Sequence, residues 1–220
     1  MRYGRKCLTL LFMLLAISVL TGSAAFADGL KKENGKLYYY QNGKPVKNKW
    51  KTVKKHKYYF GKDGAAYQAP KPADKTCNVN KYKIKGKYYG FDTNGWLVKG
   101  LNAHQTLKKN GRTKSVTLYW FSSKGVYNKN KTKAVKQLLK EGFHNGKFME
   151  DLKQIAGKPR KTLVDDISCN QRPDANHLDD DENTHRWKDI TIEYKGLLIV
   201  AVYYIPTDEY YVDYYVPLKK

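Results

Sequence analysis

Aromatic, polar and glycine positions recur in a fixed order through the first half of the chain. Four segments align: Leu37–Gly43 (LYYYQNG), Tyr58–Gly64 (YYFGKDG), Tyr88–Gly95 (YYGFDTNG) and Tyr119–Gly125 (YWFSSKG). In the last three an aromatic residue stands four positions before the glycine, and Gly43, Gly64, Gly95 and Gly125 lie 21, 31 and 30 residues apart. Short aromatic runs alternating with Asn-Gly or Asp-Gly predict β-hairpins, because these turn residues tolerate positive φ and the turn then matches the strands' twist. A two-stranded hairpin cannot bury an aromatic face alone, so the repetition predicts hairpins stacked into a solenoid.

Beyond residue 130 the period changes. From Lys131 to Glu141, Ala134, Val135, Leu138 and Leu139 form one stripe, and Gly142 follows as a stop. A second helix is predicted from Lys147 to Ala156, with Phe148, Leu152 and Ile155 on one face and Gly157-Lys158-Pro159 after it. Strand-like alternation follows over Arg186–Tyr194, Leu197–Ile205 and Tyr210–Val216, with a short piece near Leu163–Ser168. The expected class is α+β: an N-terminal β-hairpin repeat solenoid followed by a small domain of two helices and then an antiparallel sheet.

The start of the chain has a different pattern again. Arg2, Arg5 and Lys6 precede an apolar run from Leu8 to Leu20, and Ala25-Phe26-Ala27 reads as a small-x-small cleavage site. This is the pattern of a secretory signal peptide over residues 1–27. The run is shorter than the ~20 residues of a spanning helix. Cys7 precedes the run rather than following it, and the C-terminal Tyr215–Lys220 carries no sorting signal. The expectation is therefore a secreted protein with no stable membrane anchor after cleavage, held at a cell surface non-covalently. Three segments are expected: a signal peptide at 1–27, basic aromatic repeats at 28–130 and an α+β interaction domain at 131–220.

Charge sharpens the division. The 220 residues hold 42 Lys and Arg against 20 Asp and Glu. Residues 28–130 hold 24 of the bases and 5 of the acids, a net +19, whereas residues 131–220 hold 15 of each. A polycation joined to an electrically balanced domain implies an anionic partner for the first half. The 41% apolar content argues against wholesale disorder.

With these residues in view, the chain resembles the cell-wall-binding, or choline-binding, repeat family of Gram-positive surface proteins. That family's unit is Gly-Trp, a short basic or polar turn, Trp-Tyr-Tyr-Phe/Leu, three residues and Gly. Trp50–Gly64 follows its spacing, and Asn94–Gly100 supplies the Gly-Trp half of another unit. The resemblance spans residues 33–128 and implies a secreted protein that attaches to the wall. It makes Trp50, Tyr58, Tyr59, Phe60, Trp96, Tyr119, Trp120 and Lys57 the candidate ligand-binding residues. Choline sites in the family resemble aromatic cages around a quaternary ammonium. Here Lys57 replaces the second cage Trp, Lys49 replaces the Gly before Trp50, and Gly90 interrupts an aromatic run. A lysine in a cage repels a cationic ligand. These departures favour teichoic acid or a wall glycan over choline, because lysines meet phosphates as point charges and aromatic faces stack on sugars. The C-terminal order of elements, with Gly157-Lys158-Pro159, is similar to small domains related to the lipoprotein BamE and to the β-lactamase inhibitor protein. That likeness implies binding to a protein partner which the sequence does not identify.

Other residues suggest other chemistry. His177–His185 concentrates four acids between two histidines, yet Leu178 stands where the third EF-hand ligand belongs and the required glycine is missing, so a solvated loop is expected, with no metal and no cofactor. Cys169 with His177 or His185 suggests a wall hydrolase or peptidase, but the surrounding residues lack a Gly/Ser-rich nucleophile turn, and the chain is expected not to be an enzyme. Cys77 and Cys169 allow one disulfide or two thiols. Extracellular nucleic acid is the alternative anionic partner, since lysines neutralise phosphates and tyrosines stack on bases.

Overall fold

A computed structural model describes residues 28–71, 78–140, 142–166 and 187–218. The signal segment, Cys7, Cys77, Cys169 and the acidic 177–185 stretch lie outside the described residues. The rest forms two compact units. One comprises the described residues up to Trp50 together with Phe60–Ala66; the other comprises Lys51–Tyr59 and the residues from Tyr67 onward.

The first unit is built on an antiparallel sheet of β1 (Gly29–Glu33), β2 (Lys36–Gln41) and β3 (Lys44–Pro45). Its two-residue turns, Asn34-Gly35 (φ 48° and 79°) and Asn42-Gly43 (φ 52° and 72°), are the tight turns the sequence predicts. Phe60–Ala66 completes the unit: the Ala66 N–H donates to the Leu37 carbonyl at 2.7 Å, and the fully buried Phe60 ring lies 6.0 Å from Tyr39.

Most of the hairpin of β4 (Lys49–Val53) with β5 (His56–Phe60) belongs to the second unit, which also holds the hairpins of β6 (Val79–Ile84) with β7 (Lys87–Asp92) and β8 (Gly100–Leu107) with β9 (Thr113–Phe121). The sequence misassigns one detail. Gly64, Gly95 and Gly125 do not sit in the hairpin turns, which fall earlier, at Lys54-Lys55 and Lys85-Gly86 for the middle two hairpins. These glycines instead close a turn after the aromatic strand, their N–H groups reaching the carbonyls of Gly61, Asp92 and Ser122. That turn re-aims the chain so that the residue two positions on bonds to an earlier hairpin. In the second unit Leu97 donates to Lys57 and Tyr127 to Tyr88, each at 2.8 Å, by the bond that Ala66 makes to Leu37 in the first unit. The recurring phenylalanine before each turn, Phe60, Phe91 or Phe121, is completely buried.

The C-terminal elements are α1 (Lys129–Leu138), β10 (Gly142–Asn145), α2 (Phe148–Ala156), β11 (Lys161–Asp166), β12 (Trp187–Tyr194), β13 (Leu197–Tyr204) and β14 (Glu209–Pro217). Asn128 caps α1, its Oδ1 accepting the Lys131 N–H at 2.9 Å. The sheet order is β10-β14-β13-β12-β11, all pairs antiparallel. Strand β10 between the helices corrects the expected order of two helices followed by a sheet, and it departs from the pattern on which the likeness to BamE rested. Four residues with one apolar side chain carry no legible alternation; only pairing with β14, from Gly142 opposite Val212 to Asn145 opposite Glu209, makes them a strand.

The core of this part gathers Val135 and Leu139, Phe148 and Leu152 of α2, and Ile190, Ile192, Leu197, Ile199, Ala201 and Val212 of the sheet. It also takes Leu101, Ala103 and Leu118 from β8 and β9. The charge changes at residue 130, but the packing runs straight across it.

Tyr194 is a pH probe of this core. It is buried, its hydroxyl donates to the Gly157 carbonyl at 3.0 Å, and burial pushes its phenol up to about 12. Unfolded tyrosine ionises near 10. The neutral phenol's contribution is therefore complete below about pH 10 and is lost as pH rises through about 12, a difference of about 3 kcal/mol. Urea unfolding across pH 10–12 should show a steep loss of stability that Tyr194→Phe makes shallower; equal slopes would refute the assignment.

Candidate functional site

Three of the five acids of the repeat region, Glu33, Asp63 and Asp92, are committed to its architecture. Asp63 Oδ1 accepts the Ala65 N–H at 3.1 Å and Oδ2 takes the Lys36 ammonium at 3.3 Å. The Ala65 amide is the main cause that holds the Asp63 carboxyl below its ordinary value; desolvation opposes it, and Lys36 adds to the lowering. Asp92 Oδ1 accepts the N–H groups of Asn94 and Trp96, each at 2.9 Å. Glu33 accepts the Tyr40 hydroxyl at 3.0 Å. Carboxylates thus fix turns and a tyrosine, and the lysines outnumber them throughout.

The tip of the β4–β5 hairpin concentrates this excess. Lys54 and Lys55 both have left-handed backbone, φ 47° and 69°, in a turn that ordinarily takes Asn-Gly. Their side chains are exposed, as are those of Lys49 and Lys57 on the flanking strands.

Aromatic side chains gather beside these strands. Trp96 stacks on His56 with centroids 3.5 Å apart and planes within 7°, and its indole N–H donates to the Tyr58 hydroxyl at 2.7 Å. Burial is the main cause that raises the Tyr58 phenol, partly opposed by the Trp96 hydrogen bond. Tyr67 stacks on Tyr82 at 4.4 Å, with Tyr59 and Phe91 packed at 5.3 and 6.0 Å from Tyr67. Further along, the Lys81 ammonium lies 4.1 Å from the centre of the Tyr127 ring, 4.9 Å from Tyr88 and 5.5 Å from Tyr119.

The structure sorts the sequence-predicted residues into three places. Tyr58, Tyr59 and Phe60 are buried and build the core of the hairpins; Trp50 and Trp96 are half-buried; and Lys57 exposes its side chain while its carbonyl serves the Leu97 amide. Tyr58 and Trp96 come together as one cluster. Tyr119 and Trp120 point to opposite faces of β9. Tyr119 joins Phe121 and Tyr127 on the repeat side, whereas Trp120 packs with Val116 and Leu118 against the α/β core, under the Lys131 ammonium at 4.4 Å. Trp120 is thereby a junction residue. His56, Lys81 and Tyr127 were missed by the sequence reading. Tyr127 follows its marker glycine by two, the position whose amide docks on an earlier hairpin, and that spacing is the signal from which it was recoverable. Among the described residues no group of three or more His, Cys, Asp or Glu is placed to hold a metal ion, and no helix is long and apolar enough to cross a membrane.

No family model matches the chain, and no curated protein matches it. Among solved structures, it is similar to the modular Cpl-1 endolysin complexed with a peptidoglycan analogue, at 19% identity over 46% of this chain and 25% of that one, with a TM-score of 0.33. It is also similar to the choline-binding domain of Spr1274 in Streptococcus pneumoniae, at 26% identity over 33% of this chain and 94% of that one, with a TM-score of 0.26. An alternansucrase in complex with isomaltononaose matches at 24% identity over 47% of this chain and 8% of its own, with a TM-score of 0.24. The chain spans about a quarter of the endolysin and under a tenth of the alternansucrase.

Proposed function

We propose that residues 28–130 bind the anionic polymer of a Gram-positive cell wall, teichoic acid or wall glycan, and that the protein is secreted and displays a non-catalytic C-terminal interaction domain at the cell surface. The observation that carries this reading is how the carboxylates are used. Asp63, Asp92 and Glu33 are already engaged in turns and with Tyr40, in a region whose 24 bases face 5 acids. Such a surface attracts polyphosphate from solution and holds it through many separately weak contacts. The recurring amide bond that ties Leu97 to Lys57 and Tyr127 to Tyr88 supports the stacked solenoid expected from the repeats. Choline fits less well, because Trp96 is already stacked on His56 and bonded to Tyr58.

Sedimentation with purified walls tests the reading. The full secreted chain should pellet with native walls, lose most of that binding when teichoic acid is stripped or salt is raised to 1 M, and resist competition by choline. Failure to pellet with native walls at low salt would refute wall binding. Release by millimolar choline would replace the polymer with an aromatic-cage ligand. Zymography against the same walls should show no clearing; lysis that disappears in Cys169→Ala would make the protein a hydrolase.

A further inference from the structure

Strand β11 ends the five-stranded sheet, paired with β12 on one side and, among the described residues, with no strand on the other. Such an edge offers unpaired N–H and C=O groups to any further strand, and folded proteins ordinarily blunt it with a proline, a bulge or a repelling charge. This one has neither proline nor bulge: its register on β12 runs unbroken from Lys161 opposite Glu193 to Asp166 opposite Lys188. Residues 161–165 are all exposed, among them Leu163 at 41% and Val164 at 51%. Lys161, Leu163 and Asp165 share the face that Glu193, Thr191 and Asp189 occupy on β12, opposite the face of the buried Ile190 and Ile192. The two charges are opposite in sign and equally far from Leu163. Neither forms an ion pair among the described residues, and the register sets Asp165 beside a second acid, Asp189.

We propose that β11 pairs antiparallel with β11 of a second copy of this chain, the two Leu163 residues facing each other on the twofold axis. In that register each Lys161 stands opposite the second copy's Asp165, and each Thr162 opposite its Val164. Two ion pairs then flank a leucine pair on one face, and each lysine reaches the edge where Asp165 and Asp189 lie together. The charges that would blunt the edge against a foreign strand are complementary to themselves, which names the occupant: an isologous contact needs a patch that matches its own copy. Parallel pairing would set lysine on lysine and aspartate on aspartate. A slip of two residues would set a charge against Leu163, and a slip of one would join the exposed face of one sheet to the helix-covered face of the other. One short strand per copy falls below the about 1,200 Å² of a standard stable interface, so the dimer is concentration-dependent. It joins two sets of basic repeats, which raises avidity for a polymer without any new polymer contact. The pairing does not rest on wall binding, and each can fail alone.

Charge exchange tests it. Sedimentation equilibrium of the full secreted chain in about 0.15 M salt, from about 1 µM to 1 mM, reads the association, and circular dichroism checks that each variant keeps its sheet. The native chain should pass from monomer to dimer across that range. Lys161→Asp and Asp165→Lys each place like charges opposite one another twice and should each weaken the dimer at least about tenfold. The double variant Lys161→Asp/Asp165→Lys restores both pairs and should dimerise as the native chain does. An equimolar mixture of the two single variants should form a mixed dimer, because every charge then meets its opposite. Leu163→Asp, which puts two carboxylates on the axis, should remain monomeric. A native chain that is monomeric throughout, a dimer that survives every single substitution, or single variants that neither the double exchange nor mixing restores would each overturn the proposal.

Discussion

Gly90→Ala is expected to destabilise the second unit by several kcal/mol. A Cβ built at Gly90 would lie 2.4 Å from Cζ of Phe121 and 2.7 Å from both its Cε atoms, closer than any carbon pair tolerates. Phe121 cannot swing aside, because it is completely buried and packed with Val79 and Val98. Overfilling a well-packed core costs typically about 1–3 kcal/mol, and more where the neighbour is as confined as this ring. Phe121→Ala by itself should cost about 3–5 kcal/mol through the lost burial and the cavity. The two changes share one space, so Gly90→Ala/Phe121→Ala should be less destabilised than the sum of the single variants, a coupling that a double-mutant cycle in urea measures directly. Additive effects, or a Gly90→Ala chain as stable as the native one, would show that the ring and the glycine do not meet in solution.

Gly90 also shows where reading the sequence stops. Within the chain it looks like an interruption of an aromatic run. In the structure it is the seat of a ring 31 positions downstream, a relation no local pattern contains. What was legible was local: the Asn-Gly turns of the first unit, the stripe of α1, and the alternation of β12, β13 and β14 all follow from neighbouring residues. The face assignment in β9 was less accessible, because Leu118, Tyr119, Trp120 and Phe121 are continuously apolar. A continuous run of this kind marks a strand covered on both sides. Read that way, it says that the last hairpin is packed on one face by repeat and on the other by the α/β core, and it moves Trp120 away from the ligand-facing set. The Lys81 site was not legible, because one lysine among many differs from the rest only in which rings surround it. Strand β10 was hidden for a related reason, since it gains its identity from β14, some 70 positions away.

The turn at Lys54-Lys55 sets stability against binding, and the double substitution Lys54→Asn/Lys55→Gly should separate them. Both lysines hold left-handed backbone, a conformation that costs a side-chain-bearing residue roughly 1–2 kcal/mol and that Asn and Gly adopt at little or no cost. Part of the relief is offset by the greater freedom that glycine gives the unfolded chain, leaving an expected net gain of about 1 kcal/mol. The same change removes two exposed ammonium groups from the hairpin tip. At an anionic surface each lysine contributes about 1 kcal/mol at moderate ionic strength, so wall affinity should fall by about tenfold to thirtyfold at low salt. In 1 M salt, where screening acts within about 3 Å, native and variant chains should bind almost equally weakly. Lys54→Arg/Lys55→Arg is the control, since it keeps both the charge and the strained backbone and should leave binding and stability near their native values. A strained turn built from two residues poorly suited to it is accounted for if the asparagine-glycine variant melts higher and pellets less. A variant that melts higher and pellets as well as the native chain would remove the hairpin tip from the binding surface and leave the strain at Lys54 and Lys55 without a function.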